Sequence, residues 1–155
     1  LKFVNKNNGL PLFIEEDLLI KLGQIGIKHF PNEFGGFLIG QYSDDLSAVI
    51  VKNYLLPRTY KGFPTSFVWY IDGLVTTFKN LFQEQKQYYI GEWHTHPNGS
   101  TAFSQTDLTA MIKTVECDTV NIKNPILLIL SVNKTNVQDY TFYFYDNKRL
   151  IPYEK

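Results

Sequence analysis

Apolar positions along the chain repeat with two periods, near four and near two, and the changes of period divide it into elements. Over residues 15–30, Leu18, Leu19, Leu22 and Ile25 share one face of a helix. Glu15, Glu16 and Asp17 stand at its start, where acids complement the helix dipole, and Pro31 stops it. Ahead of it, Asn8-Gly9 predicts a tight turn between two short extended stretches. Residues 34–41 and 48–56 read as strands joined by a polar turn at 43–45, and the β-branched, aromatic stretch 66–71 as another. Asp72 is expected to cap a second helix whose apolar face is Leu74, Val75, Phe78, Leu81 and Phe82. Residues 88–96 read as a strand. Residues 104–115 read as a third helix with Leu108, Met111, Ile112 and Val115 inward. Residues 126–132 and 139–145 close the chain as strands, with a hairpin turn over 133–136. The proline-bounded stretch 57–64 reads as a loop. This amounts to about three helices against a mixed sheet of six to eight strands. The short strand-to-strand connections make much of that sheet antiparallel, so the expected class is α+β and not a doubly wound parallel sheet.

Composition narrows this picture. At 155 residues the expectation is one domain over the whole chain, and 44% hydrophobic content is enough to bury a core. Fifteen basic residues balance fifteen acidic ones, which argues against a protein that coats nucleic acid or an anionic membrane, since both need a basic excess. The single cysteine, Cys117, excludes an internal disulfide and a cysteine-rich zinc site. The longest purely apolar run, 126–130, is far too short to span a bilayer, and the amino end has no signal-peptide pattern. These features lead to the expectation of a soluble, cytoplasmic protein.

The chemistry concentrates at His94-Thr95-His96-Pro97. Residues two apart on a strand point the same way, so His94 and His96 would present both imidazoles on one face, as a two-histidine metal grip requires. Ser104 reads as the cap of the third helix, and Asp107 lies in its first turn, directed back towards the strand end. Two imidazoles and one carboxylate leave a zinc ion an open fourth position, which is the catalytic arrangement and not the structural one. A lone histidine is usually a satisfied or surface residue, and Ser-x-x-acid is usually a capping box. The joint pattern favours a site. A cytidine-deaminase reading fails, because that chemistry needs a Cys-x-x-Cys pair. His29 and Cys117 stand alone, with no partner at ligand spacing.

His94-x-His96-Pro97-x6-Ser104-x-x-Asp107 resembles the signature of the JAMM (MPN/JAB) zinc metallopeptidases. The upstream Glu33-Phe34-Gly35-Gly36 matches that family's glutamate before a glycine-rich strand. The resemblance implies the MPN, cytidine-deaminase-like fold. It also implies one Zn2+ held by His94, His96 and Asp107, with Glu33 as the base that serves the zinc-bound water and Ser104 as an oxyanion stabiliser. Glu92, two residues before His94, competes for the role of base; its plainer role is a carboxylate that orients a ligand histidine. Gly35, Gly36 and Gly40 are expected to permit close backbone approach beside the site.

The string Gly91-Glu92-Trp93-His94-Thr95-His96-Pro97 is similar to the prokaryotic JAB branch found with ubiquitin-like conjugation genes. The branch includes deconjugating isopeptidases of bacterial anti-phage CBASS systems. The resemblance therefore implies a protein substrate with an extended C-terminal tail, either a CD-NTase (a cGAS-like nucleotidyltransferase) or a ubiquitin-like protein, and neither nucleic acid nor membrane as partner. Little room exists between Glu33 and His94 for a large insertion. The tail is thus expected to bind as an added strand, with residues 57–64 as a candidate border of the groove.

Overall fold

A computed structural model describes residues 1–5, 7, 9–117 and 120–155. The chain runs β1 (Lys2–Phe3), β2 (Leu12–Ile14), α1 (Glu16–Lys28), β3 (Gly35–Tyr42), β4 (Val49–Leu55), β5 (Thr59–Phe63), β6 (Ser66–Tyr70), α2 (Val75–Gln85), β7 (Tyr88–Pro97), α3 (Gln105–Glu116), β8 (Ile126–Val132), β9 (Val137–Asp146) and β10 (Arg149–Pro152). The turn expected at Asn8-Gly9 falls on Asn8, which lies outside the described residues.

Eight strands form one sheet in the order β1-β2-β4-β3-β7-β8-β9-β10, and β5 and β6 form a separate hairpin. Only β2–β4 and β7–β8 are parallel; the remaining neighbours are antiparallel, so the fold is mixed α+β. The sheet curls until Val4 makes a β-bridge to Glu154, bringing its two edges together. α1 fills the inside of the curl, where Leu19, Leu22 and Ile25 pack with Leu38, Ile90, Trp93 and Leu128. On the opposite face α2 covers Phe37 and Ile39, and α3 covers Leu127 and Ile129. β8 is buried along its whole length, as a central strand covered on both faces must be. Among the described residues, no helix is long and apolar enough to cross a membrane.

Three expectations need correction. Residues 57–64 are not simply a loop: Thr59–Phe63 is β5, paired antiparallel with β6 from Thr59↔Tyr70 to Phe63↔Ser66. Tyr60 packs edge-on against Phe34, and this long-range contact holds extended a segment whose glycine and flanking prolines signal a loop. Asp72 does not cap α2. The N-cap is Leu74, with no side-chain cap bond, and Leu74 is buried against the sheet, so burial and not capping sets where this helix begins. The short strand β10 was not expected at all; it pairs with β9 after a turn in which Asn147 and Lys148 both have positive φ.

The centre of the sheet depends on close approach between β3 and β7, where Gly35 faces His94 and Gly36 faces Trp93. A Cβ at Gly35 would lie 2.0 Å from the Trp93 carbonyl oxygen and 2.8 Å from the His94 Cα. Both obstacles are backbone and cannot rotate away. Gly35→Ala is expected to push β3 off β7, costing about 1–3 kcal/mol or more. Thermal unfolding would register this as a clear drop in midpoint; an unchanged midpoint would show that the strands tolerate the separation.

Candidate active site

The site forms where the end of β7, the start of β3 and the first turn of α3 meet. His94 and His96 project from one face of β7, and their Nε2 atoms lie 3.1 Å apart. Asp107 reaches back from α3, with Oδ1 3.3 Å from His94 Nε2 and Oδ2 3.4 Å from His96 Nε2. A reciprocal capping box fixes it: the Asp107 N–H donates to Ser104 Oγ at 3.1 Å, and the Ser104 N–H donates to Asp107 Oδ2 at 2.8 Å. Ser104 Oγ accepts this bond, so its own proton stays available to a ligand.

His96 Nδ1 lies 2.8 Å from the Ser100 carbonyl, which can only accept. The Nδ1 proton is therefore committed there, and in the neutral ring Nε2 turns its lone pair into the site. The turn after β7 holds that carbonyl in place through Asn98 N–H to the Val132 carbonyl (2.8 Å) and Gly99 N–H to the His96 carbonyl (3.2 Å).

Glu33 precedes β3 and is buried. Its N–H donates to the Phe63 carbonyl of β5 at 2.8 Å. The next residue, Phe34, takes two bonds from Thr95: its N–H donates to Thr95 Oγ1 (3.0 Å), and its carbonyl accepts from the Thr95 N–H (2.9 Å). Glu33 Oε1 lies 3.7 Å from His96 Nε2, and Glu33, His94 and His96 each offer a ligand atom within 4.8 Å of the others.

This donor set fits a metal ion. Lone pairs and carboxylate oxygens that face one another at 3.1–3.4 Å repel unless a proton or a metal cation lies among them, and a metal ion can satisfy all of them at once. Those spacings also suit tetrahedral zinc, whose bonds of about 2.0–2.1 Å separate neighbouring ligand atoms by about 3.3–3.4 Å. Electrostatics follows the same layout. Burial would raise the Asp107 pKa, but hydrogen bonds from His94 and His96 more than offset it and hold the carboxyl well below its usual range. For His96, burial works against the charged form, yet the Asp107 and Ser100 contacts outweigh it and the pKa rises. Burial raises the Glu33 carboxyl, with the two imidazoles opposing. A cleft of about 340 Å³ opens over these residues, walled by β6 and the turn before it on one side and by Thr106, Asp107 and Ala110 of α3 on the other.

The family model described as prokaryotic homologs of the JAB domain matches residues 15–143. The chain belongs to the prokaryotic JAB family. Among curated proteins, this JAB chain is similar to a CD-NTase/cGAS isopeptidase of Enterobacter hormaechei subsp. hoffmannii (strain UCI 50). The two are 35% identical over 100 residues, covering 64% of this chain and 55% of that protein. The match thus spans about half of the relative's length. Among solved structures, protein DSY2949 from Desulfitobacterium hafniense superposes with a TM-score of 0.67 at 15% identity, over 91% of this chain and 88% of that one. A protein from Salinibacter ruber (strain DSM 13855) gives 0.53 at 19%, over 86% and 87%. At these identities the structures bear on the fold alone.

Within this JAB fold, Glu92 does not share the position of Glu33. It lines another part of the cleft, where Tyr89 Oη donates to its Oε1 at 3.1 Å and Thr114 Oγ1 lies 3.5 Å from the same oxygen. Burial pushes its pKa up to about 7, against the Tyr89 hydrogen bond and the nearby His94. His29 does not line the cleft: it stacks on Phe34 with ring centroids 3.6 Å apart, and its Nδ1 bonds the Ile25 carbonyl. Two supports escaped the sequence reading. One is Thr95, lost between its histidine neighbours. The other is β5, where Thr59, Tyr60 and Phe63 are residue types that favour strands, the one signal set against its glycine and flanking prolines.

Proposed function

We propose that this chain is a zinc-dependent isopeptidase, working in the cytoplasm, that hydrolyses the amide between a protein's C-terminal tail and the amine it is conjugated to. The observation that carries this reading is the convergence of His94, His96 and Asp107 at 3.1–3.4 Å with Glu33 beside them in a cleft. His94, His96 and Asp107 would hold the zinc ion. When bound, zinc polarises the scissile carbonyl and lowers the pKa of its water to about 7. Glu33 takes the proton from the attacking water on its carboxylate and delivers it to the departing amine. Its burial supports that role, since a carboxylate with a raised pKa is a stronger base. Ser104 donates a hydrogen bond from its hydroxyl to the oxygen that becomes negative on the substrate carbonyl.

The tail lies along β6, which has only β5 beside it in its two-stranded sheet and lines the cleft with Ser66, Phe67, Val68 and Trp69. Backbone pairing along an open strand edge supplies affinity with little demand on side chains. The substrate is the C-terminal tail of a CD-NTase, a reading supported by the name of the Enterobacter relative. The deciding experiment incubates the purified protein with a CD-NTase tail conjugate and, in parallel, a ubiquitin-like conjugate, with and without a chelator. Cleavage of the CD-NTase conjugate, lost on chelation and restored by zinc, is expected. Cleavage of the ubiquitin-like conjugate alone would reassign the substrate. A protein that purifies without stoichiometric zinc and cleaves neither would be a binding scaffold, and cleavage that survives chelation would rule out the metal mechanism.

A further inference from the structure

Glu92 has no part in that mechanism, yet it sits in the same cleft. It is 8% exposed, and both of its protein hydrogen bonds fall on one oxygen, Oε1. Among the described residues Oε2 has no hydrogen-bond partner, and no lysine or arginine forms an ion pair with this carboxylate. A carboxylate shielded from most of the solvent and paired with no cation is poorly satisfied as it stands. Its cross-strand neighbours are the apolar Phe37 of β3 and Leu127 of β8, and Trp69 and Met111 line the same cleft. Among the described residues, three carboxylates line the cleft (Glu33, Glu92 and Asp107) and no lysine or arginine does. Glu33 and Asp107 face the imidazole pair, which leaves Glu92 as the acid free to meet a ligand.

The wall beside it is aromatic and rigid. Trp69 packs edge-on against Phe37 at 4.6 Å between centroids, and Phe37 in turn meets Tyr89, whose hydroxyl holds Glu92. An aromatic ring and a desolvated carboxylate in one cleft are complementary to a side chain with an aliphatic stem and a cationic head.

We propose that Glu92 and Trp69 form a specificity subsite for a basic side chain, lysine or arginine, of the substrate tail, lying on the tail side of the scissile bond between β6 and α3. The cation pairs with Glu92 Oε2, and its stem lies along Trp69. This rests on the isopeptidase reading for the word substrate, but the subsite stands on its own residues. It selects by penalty as well as attraction: a tail with an apolar residue at that position leaves the buried carboxylate unpaired.

The test uses hexapeptides ending in glycine, joined through that carboxyl to a lysine Nε, with arginine, lysine, norleucine or glutamate placed at each remaining position in turn. Binding is measured by fluorescence anisotropy on the Glu33→Gln protein. At one position arginine or lysine is expected to bind roughly tenfold or more tighter than norleucine. Glu92→Gln in the same background keeps the shape and the Tyr89 contact, and should reduce that preference to under about threefold, weakening the basic peptides and letting the norleucine peptide bind tighter because no charge is then left unpaired. Equal affinities at every position, best binding by the glutamate peptides, failure of every basic peptide to bind, or a basic preference that survives Glu92→Gln would each overturn the subsite. Should Glu92→Gln fail to fold, the positional preference measured on the Glu33→Gln protein still decides. A chain that binds an arginine peptide and cleaves no isopeptide would overturn the isopeptidase reading and leave the subsite standing; one that cleaves the arginine, lysine, norleucine and glutamate peptides alike at every position would do the reverse.

Discussion

Glu33→Gln is expected to lower turnover by a factor of about 10²–10⁴, the usual worth of a positioned general base. Glutamine has the shape of glutamate and keeps an acceptor, but it can neither take the water's proton nor return one to the leaving amine. The fold should survive. What holds this segment is backbone: the Glu33 N–H to the Phe63 carbonyl, and both Phe34 main-chain groups to Thr95. None of these bonds uses the Glu33 side chain. Thermal midpoint and zinc content should therefore match the parent protein while hydrolysis of a tail conjugate disappears. A Glu33→Gln protein that keeps more than about a tenth of the parent rate would move the base elsewhere, with Glu92 as the next carboxylate in the cleft. Loss of zinc together with activity would make Glu33 a ligand instead, an assignment its 3.7 Å approach to His96 puts within reach.

How far the site could be read from sequence follows from how local each part is. The two imidazoles were legible because a strand's period of two fixes their common face from the string His94-Thr95-His96 alone. Ser104 and Asp107 were legible because a capping box is closed within a single helical turn. Glu33 was different. Nothing local places it near His96; that follows from Phe34 and Thr95 bonding across 61 residues of chain, and only the family pattern pointed to it. β5 was missed for the same kind of reason. Its glycine and flanking prolines argue for a loop, and what makes it a strand is pairing with β6 and the packing of Tyr60 on Phe34. Asp72 shows the opposite error: local capping chemistry pointed to it, but burial of Leu74 set the helix start. The helices and long strands of the core were readable because a buried face imposes its period on many residues at once.

Asp107 supports a second strong prediction, because its two oxygens serve different ends. Oδ2 accepts the Ser104 N–H that closes the cap and also faces His96, whereas Oδ1 faces His94 alone. Asp107→Asn keeps an oxygen for the cap but loses the negative charge that a divalent cation needs. Asp107→Ala loses both. Zinc affinity is expected to fall by about 100-fold or more in each variant, with activity lost to match. Metal-free stability should separate them: in alkaline buffer, above the raised pKa of His96, Asn should unfold near the parent midpoint and Ala about 1 kcal/mol less stable, the ordinary cost of a lost cap. Zinc should then raise the midpoint of the parent protein and leave both variants nearly unmoved at the same concentration, since a ligand stabilises only in proportion to its binding of the native state. The two readouts test separate claims. An Asn variant that binds zinc as tightly as the parent would remove Asp107 from the metal site, whatever its activity. An Ala variant as stable as the parent without metal would show that the capping box adds nothing to α3. If both hold as expected, the same carboxylate anchors the helix and completes the grip. That would explain why the aspartate of a serine–aspartate cap, ordinary elsewhere, lies here 3.3–3.4 Å from two imidazoles.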